Sequence, residues 1–206
     1  ADFFSETLAR QIAQEKGRAA AIMGNNVVAH INDYDDLCKG VRALLAPHGV
    51  FVFEAPYLTD MFTNLTFDTI YHEHLNFLSV YPLRQMFARH DLEIFDVQLV
   101  PKQGQSIRVF VGHRGSHRMR STVQSFILQE EALGLQTLEG YREMSHKVMQ
   151  NKERVRNLLR DLKRQGKRIA AYGAPAKGNT LLNYFEIGAD LIDFALDELP
   201  AKQGLY

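Results

Sequence analysis

Apolar residues near the start of the chain occur in two patterns, helical spacing and short continuous runs. Apolar side chains at helical spacing before Gly17 predict a helix over 6–15, and the same spacing predicts a second helix over 33–45. Short continuous apolar runs over 20–23 and 50–53 are typical of strands that are buried on both faces. Strand, helix and strand in this order predict a parallel βαβ unit.

The rest of the chain is first rich in strand signals and then helical. The aromatic and polar segment 56–78 has no clear period, and we predict a functional loop region with short strands there. The later elements are a short helix over 83–89 and an antiparallel hairpin of strands 92–100 and 107–111 with a turn at 101–104. Helical structure over 122–165 follows, with Gly134 and Gly140 as possible breaks, and then a strand, helix and strand over 168–172, 175–185 and 191–196. The last three elements predict the start of a second βαβ unit, so the predicted fold class is α/β.

Composition excludes several classes of protein. The 206 residues carry 24 basic and 24 acidic side chains, so neither a nucleic-acid partner nor an anionic membrane surface is expected. Cys38 is the single cysteine, which excludes an internal disulfide and a cysteine-rich zinc site within the chain. No apolar stretch is long enough to span a bilayer, and no signal-like segment opens the chain. These features predict a soluble, cytoplasmic protein.

The densest group of reactive side chains is Tyr71-His72-Glu73-His74. Two histidines and a glutamate suit general acid–base chemistry near neutral pH. In an extended strand His72 and His74 would share a face, so metal binding is a second interpretation, although no third ligand stands at a diagnostic spacing. A polar loop with two surface histidines also explains the pattern.

Two other polar segments follow predicted strands. Asn25, Asn26 and His30 follow the first strand, where open parallel sheets bind ligands, and a turn or capping role for the asparagines is the alternative. Gly173–Thr180 follows a later strand and opens a helix, so its backbone N–H groups and its lysine suit a phosphate. A tight turn without a ligand is the alternative there. The segment matches neither the P-loop nor the dinucleotide-binding glycine pattern.

Three motifs occur in the order known from one enzyme family. They are NNVVAH at Asn25–His30, FDTIYHEH at Phe67–His74 and AYGAPAKGNTLLNY at Ala171–Tyr184. Together they closely resemble the S-adenosylmethionine (SAM)-dependent nucleotide-sugar C-methyltransferases, which methylate C-3 of nucleotide-linked 4-keto-deoxysugars. The resemblance covers essentially the whole chain, and it implies SAM as the cofactor and a nucleotide sugar as the substrate.

The resemblance also implies a domain organisation. Family members have an N-terminal cysteine-rich zinc domain, a middle methyltransferase domain and a C-terminal Rossmann-like domain that helps to hold the nucleotide sugar. Residues 1–119 then correspond to the C-terminal part of a class I, Rossmann-like methyltransferase domain, 120–166 to a helical linker, and 167–206 to the start of the C-terminal domain. Both ends look cut, so the zinc cysteines and the glycine-rich SAM loop are expected upstream. We therefore expect the chain alone to bind SAM poorly and to be inactive.

Roles for individual residues follow from the same resemblance. His74 is expected to be the general base that removes the C-3 proton, with Tyr71, Glu73 and His30 as its companions in the active site. A placed base is needed because a proton beside a ketone is only weakly acidic, and an imidazole titrates near neutral pH. Asn26 is expected to line the substrate pocket.

Contacts to the cofactor and to the phosphates complete the expected site. Asn25 is expected to contact SAM. Gly173, Lys177 and Asn179 are expected to hold the pyrophosphate of the nucleotide sugar, which is an inference from the chemistry of the turn. No metal ligand is expected within the chain. Gly104-Gln105-Ser106 departs from the Gly-Gly-Ser that is usual in the family, so substrate contacts at that turn are not carried over.

Two alternative functions stay open. The chain could belong to a non-catalytic module that binds a nucleotide sugar, or to a methyltransferase that acts on another carbon acid. Retention of Tyr71, Glu73 and His74 favours an enzyme, because a protein that only binds has no need of a base. The pattern predicts no particular oligomeric state.

Overall fold

The computed structural model describes residues 3–101 and 104–204 and divides the chain into two compact units. The first unit holds Ala1–Thr63 and Glu73–Leu138, and the second holds Asn64–His72 and Glu139–Tyr206. The helical stretch 120–166 is thus shared between the units. The three domain boundaries drawn from the sequence stay a prediction.

The first unit is a four-stranded sheet with its helices. Its elements are helices α1 (Glu6–Lys16), α2 (Tyr34–Leu44), α3 (Leu58–Asn64, whose last residue belongs to the second unit), α4 (Val80–Ala88) and α5 (Ser121–Ala132), and strands β1 (Ala19–Asn25), β2 (Leu45–Pro56), β3 (Leu92–Val100) and β4 (Ser106–His113). The strand order is β1-β2-β4-β3. β1 and β2 are parallel, whereas β4 is antiparallel to both of its neighbours. The predicted βαβ unit and the predicted hairpin are both confirmed; Lys102 and Gln103 of the hairpin turn lie outside the described residues.

One face of this sheet carries the core. Phe51, Phe53 and Ala55 alternate along β2 with side chains that are less deeply buried, and they pack with apolar residues of α2, α4 and α5. Because the buried side chains stand two residues apart, they lie on the same face of the strand. On the opposite face Glu54 is buried and Val50 and Val52 are half-buried, so the strand is covered on both faces, but incompletely on this one.

Caps at the helix N-termini explain where the first helices begin. The hydroxyl of Ser5 accepts a hydrogen bond from the N–H of Leu8 at 3.1 Å, and the carboxylate of Asp33 accepts one from Asp36 at 2.9 Å. Each cap satisfies an N–H group that has no partner within its helix. Asp33 is therefore the N-cap of α2, one residue before the helix itself.

The N-terminus of α4 is capped by a residue far away in the sequence. Ser79 makes no side-chain cap, and the carboxylate of Glu130 on α5 accepts from the N–H groups of Val80 and Tyr81 at 2.5 and 2.9 Å. The same carboxylate accepts from the Tyr57 hydroxyl at 2.9 Å. Glu130 is 0% exposed, and this burial raises its pKa above the ordinary value while the three donors act in the opposite direction. One buried side chain thus joins α5, α4 and the end of β2.

The second unit is built on a long helix and a small parallel sheet. Its elements are helices α6 (Leu138–Arg164, whose first residue belongs to the first unit) and α7 (Ala176–Phe185) and strands β5 (Ala170–Tyr172) and β6 (Phe194–Leu196). Glu186 follows α7 as its C-cap, and its backbone is left-handed with φ of 54°. The carboxylate of Glu186 pairs with Lys152 and Arg156 of α6, so charged side chains tie the end of α7 to the long helix.

The structure corrects one element prediction and refines another. The segment 56–78 contains α3 and a 3₁₀ turn at Phe67–Thr69 instead of short strands. Residues 59–62 of α3 are all buried, so an amphipathic period is absent from this helix. Of the two breaks considered in the helical stretch 122–165, the one at Gly134, which adopts a φ of 74°, is confirmed and separates α5 from α6, whereas Gly140 lies within α6. A left-handed backbone conformation cannot continue an α-helix, which explains the break.

The helices of the described residues also bear on the prediction that no segment spans a bilayer. No helix in the described part of the chain combines the length and the apolar composition that crossing a bilayer requires.

We expect the Glu130→Gln substitution to lower the free energy of unfolding by about 1–3 kcal/mol, because the amide nitrogen would face a backbone N–H group and leave it without an acceptor. Urea denaturation followed by circular dichroism measures this change. Glu131→Gln is the matched control, since Glu131 is the exposed neighbour on the same helix. Equal stability of the two variants would contradict the capping role of Glu130.

Candidate functional site

The carboxyl end of β1 leads directly into a short polar connection. Asn26 adopts a left-handed backbone with φ of 53°, and its N–H group donates to the carbonyl oxygen of Glu54 at 2.9 Å. A 3₁₀ turn at Val28–His30 follows, in which Val28 and Ala29 are buried and His30 is exposed. The apolar residues of the turn therefore anchor it, and the imidazole of His30 faces solvent at the end of the strand.

His30 holds the backbone immediately before His74. Its Nδ1 atom is within hydrogen-bonding distance of the carbonyl oxygen of Glu73. A carbonyl oxygen can only accept, so Nδ1 carries the proton and Nε2 of the neutral ring keeps a lone pair. The rings of His30 and His74 lie with their centroids 5.3 Å apart and their planes at 41°. The structure thus brings together His30, Glu73 and His74, which the sequence places in two separate motifs.

Asn76 strengthens the same connection. Its N–H group donates to the carbonyl oxygen of Ala29 at 3.1 Å, and its side-chain amide donates to that of Ile31 at 2.9 Å. These two bonds flank His30 along the chain. The segment that carries His74 is therefore bound to the residues after β1 at three points, which restricts the position of the His74 ring.

A row of polar residues crosses the sheet at the same end. Asn25 of β1 is in register with Glu54 of β2, and Glu54 is in register with Arg108 of β4. Nε of Arg108 donates to Oε1 of Glu54 at 2.7 Å, although Glu54 is only 8% exposed. Glu54 was not predicted as a functional residue, although an acidic residue that directly follows the apolar run of a buried strand is a signal that the sequence contains. Asn25 is exposed beside this ion pair.

Residues 71–73 form a bend and a turn. The expectation that His72 and His74 share one face of an extended strand is therefore wrong, and the metal-binding interpretation that depended on it loses its geometry. Across the two described ranges, no group of three or more His, Cys, Asp and Glu side chains is arranged to hold a metal ion. Tyr71 and His72 belong to the second compact unit, whereas Glu73 and His74 belong to the first.

The turn after β5 is already hydrogen-bonded within the second unit. Gly173 has a φ of 90° and donates to the carbonyl oxygen of Leu196 at 2.7 Å, and Ala174 donates to the carboxylate of Asp197 at 2.8 Å. The backbone N–H groups of Leu199 and Ala174 lower the pKa of Asp197, so this carboxylate is ionised at neutral pH. The N–H groups of Gly173 and Ala174 are thus engaged, and the carboxylate of Asp197 beside the turn is paired with Lys202, whose Nζ also donates to the carbonyl oxygen of Ala174.

Lys177 and Asn179 lie in the first turns of α7. Lys177 is half-buried, and the N-cap Pro175 supplies no side-chain cap to the helix. The side-chain oxygen of Asn179 accepts from the amide of Asn183 at 2.9 Å. Of the three residues expected to hold a pyrophosphate, Lys177 combines a positive charge with a place at a helix N-terminus, which is the arrangement that favours an anion.

Solved structures of methyltransferases show a partial likeness to the fold. One is a SAM-dependent methyltransferase from Anabaena variabilis ATCC 29413, with a TM-score of 0.41 and 17% identity, covering 55% of this chain and 57% of that one. Another is the M1.HpyAVI–SAM complex, with a TM-score of 0.35 and 9% identity, covering 56% of this chain and 53% of that one.

Sequence comparisons cover the chain almost completely. The family model described as "C-methyltransferase C-terminal domain" matches residues 101–206, and the one described as "Methyltransferase domain" matches residues 2–97. C-methyltransferase NovU from Streptomyces niveus is 36% identical over 202 residues, which are 98% of this chain and 48% of NovU. The chain therefore spans about half the length of this curated relative. These matches confirm the C-methyltransferase resemblance of the three motifs: the chain belongs to the C-methyltransferase family.

Proposed function

We propose that the protein carrying this chain transfers a methyl group from SAM to C-3 of a nucleotide-linked 4-keto-deoxysugar. The observation that supports this most directly is the pairing of the His30 and His74 rings at the carboxyl end of β1. Open parallel sheets bind their ligands outside this end of the strands. The relative NovU carries the name C-methyltransferase, and transfer of a methyl group to carbon requires a base at the acceptor.

His74 is the residue to which we assign the removal of the C-3 proton. The proton passes to a ring nitrogen of His74, and the electron pair of the broken C–H bond moves toward the neighbouring carbonyl, forming an enolate. A hydrogen-bond donor at the enolate oxygen stabilises the charge as it develops, and we assign this role to the hydroxyl of Tyr71. C-3 of the enolate is then the nucleophile that accepts the methyl group.

His30 has a supporting role in this scheme. Its Nδ1–H group donates to the carbonyl oxygen of Glu73, one residue before the proposed base. This bond restrains the peptide from which the His74 side chain projects, and it determines which ring nitrogen of His30 carries its proton. Glu73 therefore acts through its backbone in this scheme, and Asn26, which follows β1 directly, is placed to line the substrate pocket.

The residues at the end of β1 are compatible with SAM. Asn25 is exposed at the last position of β1, and its amide offers both a donor and an acceptor to a polar cofactor. When bound, SAM supplies an electrophilic methyl group. Asn25 is the residue of this chain to which we assign contact with the cofactor, beside the ion pair of Glu54 and Arg108.

Lys177 is the residue to which we assign contact with the pyrophosphate of the substrate. The first turn of α7 presents N–H groups with the positive end of the helix dipole, and the ammonium group of Lys177 adds a full charge. The N–H groups of Gly173 and Ala174 already have acceptors, which argues against a phosphate directly on the turn. The proposed contact therefore lies on the helix, with Asn179 as a neighbour.

We expect His74→Ala in the full-length protein to abolish deuterium exchange at C-3 of a 4-keto-sugar nucleotide, because no other group takes the proton. Proton NMR in D₂O measures the exchange. His48→Ala is the matched control, since His48 is an exposed histidine on β2. Unchanged exchange in His74→Ala would contradict the base role, and exchange with a non-sugar ketone alone would favour a different carbon acid.

We expect Lys177→Ala to raise the KM for the nucleotide sugar about tenfold and to leave kcat within about twofold, because the lysine contacts a part of the substrate that does not react. Steady-state kinetics of methyl transfer measure both constants. Lys167→Ala removes an exposed lysine of the same unit and serves as the control. A fall in kcat with an unchanged KM would assign Lys177 to the chemical step instead.

A further inference from the structure

Phe67 opens the motif that contains the proposed catalytic residues, and it is buried. It begins the 3₁₀ turn at Phe67–Thr69 and is 7% exposed. Its ring stacks on that of Phe185 with centroids 5.4 Å apart and planes at 24°, and it meets the ring of Tyr184 at 5.3 Å and 58°. All three residues belong to the second compact unit. Aromatic pairs in this geometry attract each other beyond the effect of the area that they bury.

The rings of Tyr184 and Phe185, against which Phe67 packs, have restraining contacts of their own. Phe185 is 1% exposed, and Nζ of Lys152 on α6 lies 5.5 Å from the centroid of the Tyr184 ring. The next residue, Glu186, pairs with Lys152 and with Arg156. The C-terminal end of α7 is therefore fastened to α6 by one cation–π contact and two ion pairs. Phe67 thus packs against a rigid surface.

Backbone hydrogen bonds carry this restraint toward Tyr71. The N–H group of Ile70 donates to the carbonyl oxygen of Phe67 at 2.9 Å, and that of Tyr71 donates to the carbonyl oxygen of Thr69 at 3.1 Å. The hydroxyl of Thr69 donates to the carbonyl oxygen of Thr66 at 2.7 Å. Three residues separate Phe67 from Tyr71, and these bonds leave that stretch little freedom to shift independently of the Phe67 ring.

α7 also carries the proposed phosphate contact at its other end. Lys177 is the second residue of the helix and Phe185 is the last. Ten residues of α-helix form a rigid rod of about 15 Å. The ring that receives Phe67 and the lysine proposed to hold the pyrophosphate are thus parts of one rigid element.

We infer that Phe67 is a positioning residue for methyl transfer: its ring anchors the catalytic motif to the helix that carries Lys177, and it thereby sets the place of Tyr71. This inference rests on the proposed function, because it concerns how a residue of that reaction is held. The ring touches no reacting atom in this role. Loss of the anchor therefore impairs the chemical step more than the binding of the nucleotide.

Phe67→Ala in the full-length protein tests the inference. We expect kcat for C-3 exchange and for methyl transfer to fall about 10-fold to 100-fold, because small misplacements of a catalytic group carry such costs. We expect the KM for the nucleotide sugar to change less than about threefold, because Lys177 is untouched. Phe67→Leu keeps an apolar side chain in the site and should restore much of kcat.

A second measurement tests the anchoring role of Phe67 independently of enzyme activity. Amide hydrogen exchange followed by mass spectrometry should rise in the peptide 68–74 of Phe67→Ala and return toward the wild-type rate in Phe67→Leu. Phe95→Ala is the control, because it removes a ring of the same size from β3 of the first unit. It should leave both exchange in this peptide and the kinetic constants unchanged.

The outcomes separate this inference from the proposed function. If the wild-type protein exchanges C-3 and Phe67→Ala matches it in kcat, the positioning role is overturned and the proposed function stands. If Phe67→Ala raises the KM for the nucleotide sugar and leaves kcat unchanged, the positioning role is overturned as well. If the wild-type protein shows no C-3 exchange, the proposed function fails and this role of Phe67 fails with it.

Discussion

The buried carboxylate of Glu130 is the interaction on which the arrangement of the first unit depends. A fully buried carboxylate is tolerated when donors surround it, and here two backbone N–H groups and the hydroxyl of Tyr57 do so. These donors belong to the start of α4 and the end of β2, whereas the carboxylate belongs to α5. One side chain therefore sets how three elements meet, and α4 starts six residues after His74.

The segment that carries the proposed catalytic residues is restrained at both ends by contacts of different kinds. Before Tyr71, the ring of Phe67 packs among the aromatic residues of the second unit. After His74, Asn76 and the carbonyl oxygen of Glu73 are hydrogen-bonded to the residues that follow β1. A short loop restrained in this way loses less conformational entropy when it reaches a reactive geometry. The contacts explain how a loop without regular structure can hold the proposed catalytic side chains in place.

Much of the fold could be predicted from local patterns. Local patterns of apolar residues and turn residues predicted α1, α2, the hairpin of β3 and β4, and α7. These elements could be predicted because each is defined by residues that are close together in the sequence. α3 escaped prediction because four consecutive residues of it are buried, which removes the period. Glu54 and Glu130 escaped for a related reason, since their donors lie far away in the sequence.

The sequence by itself determined the family and the α/β class, because these depend on residue types and on their order along the chain. Only the tertiary structure decided which side chains meet. It brought His30 beside His74, engaged Gly173 and Ala174 within their own unit, and gave Phe67 its aromatic partners. Such pairings depend on contacts between residues that are 23 to 118 positions apart, as 173 and 196 or 67 and 185 are, and no local period encodes them.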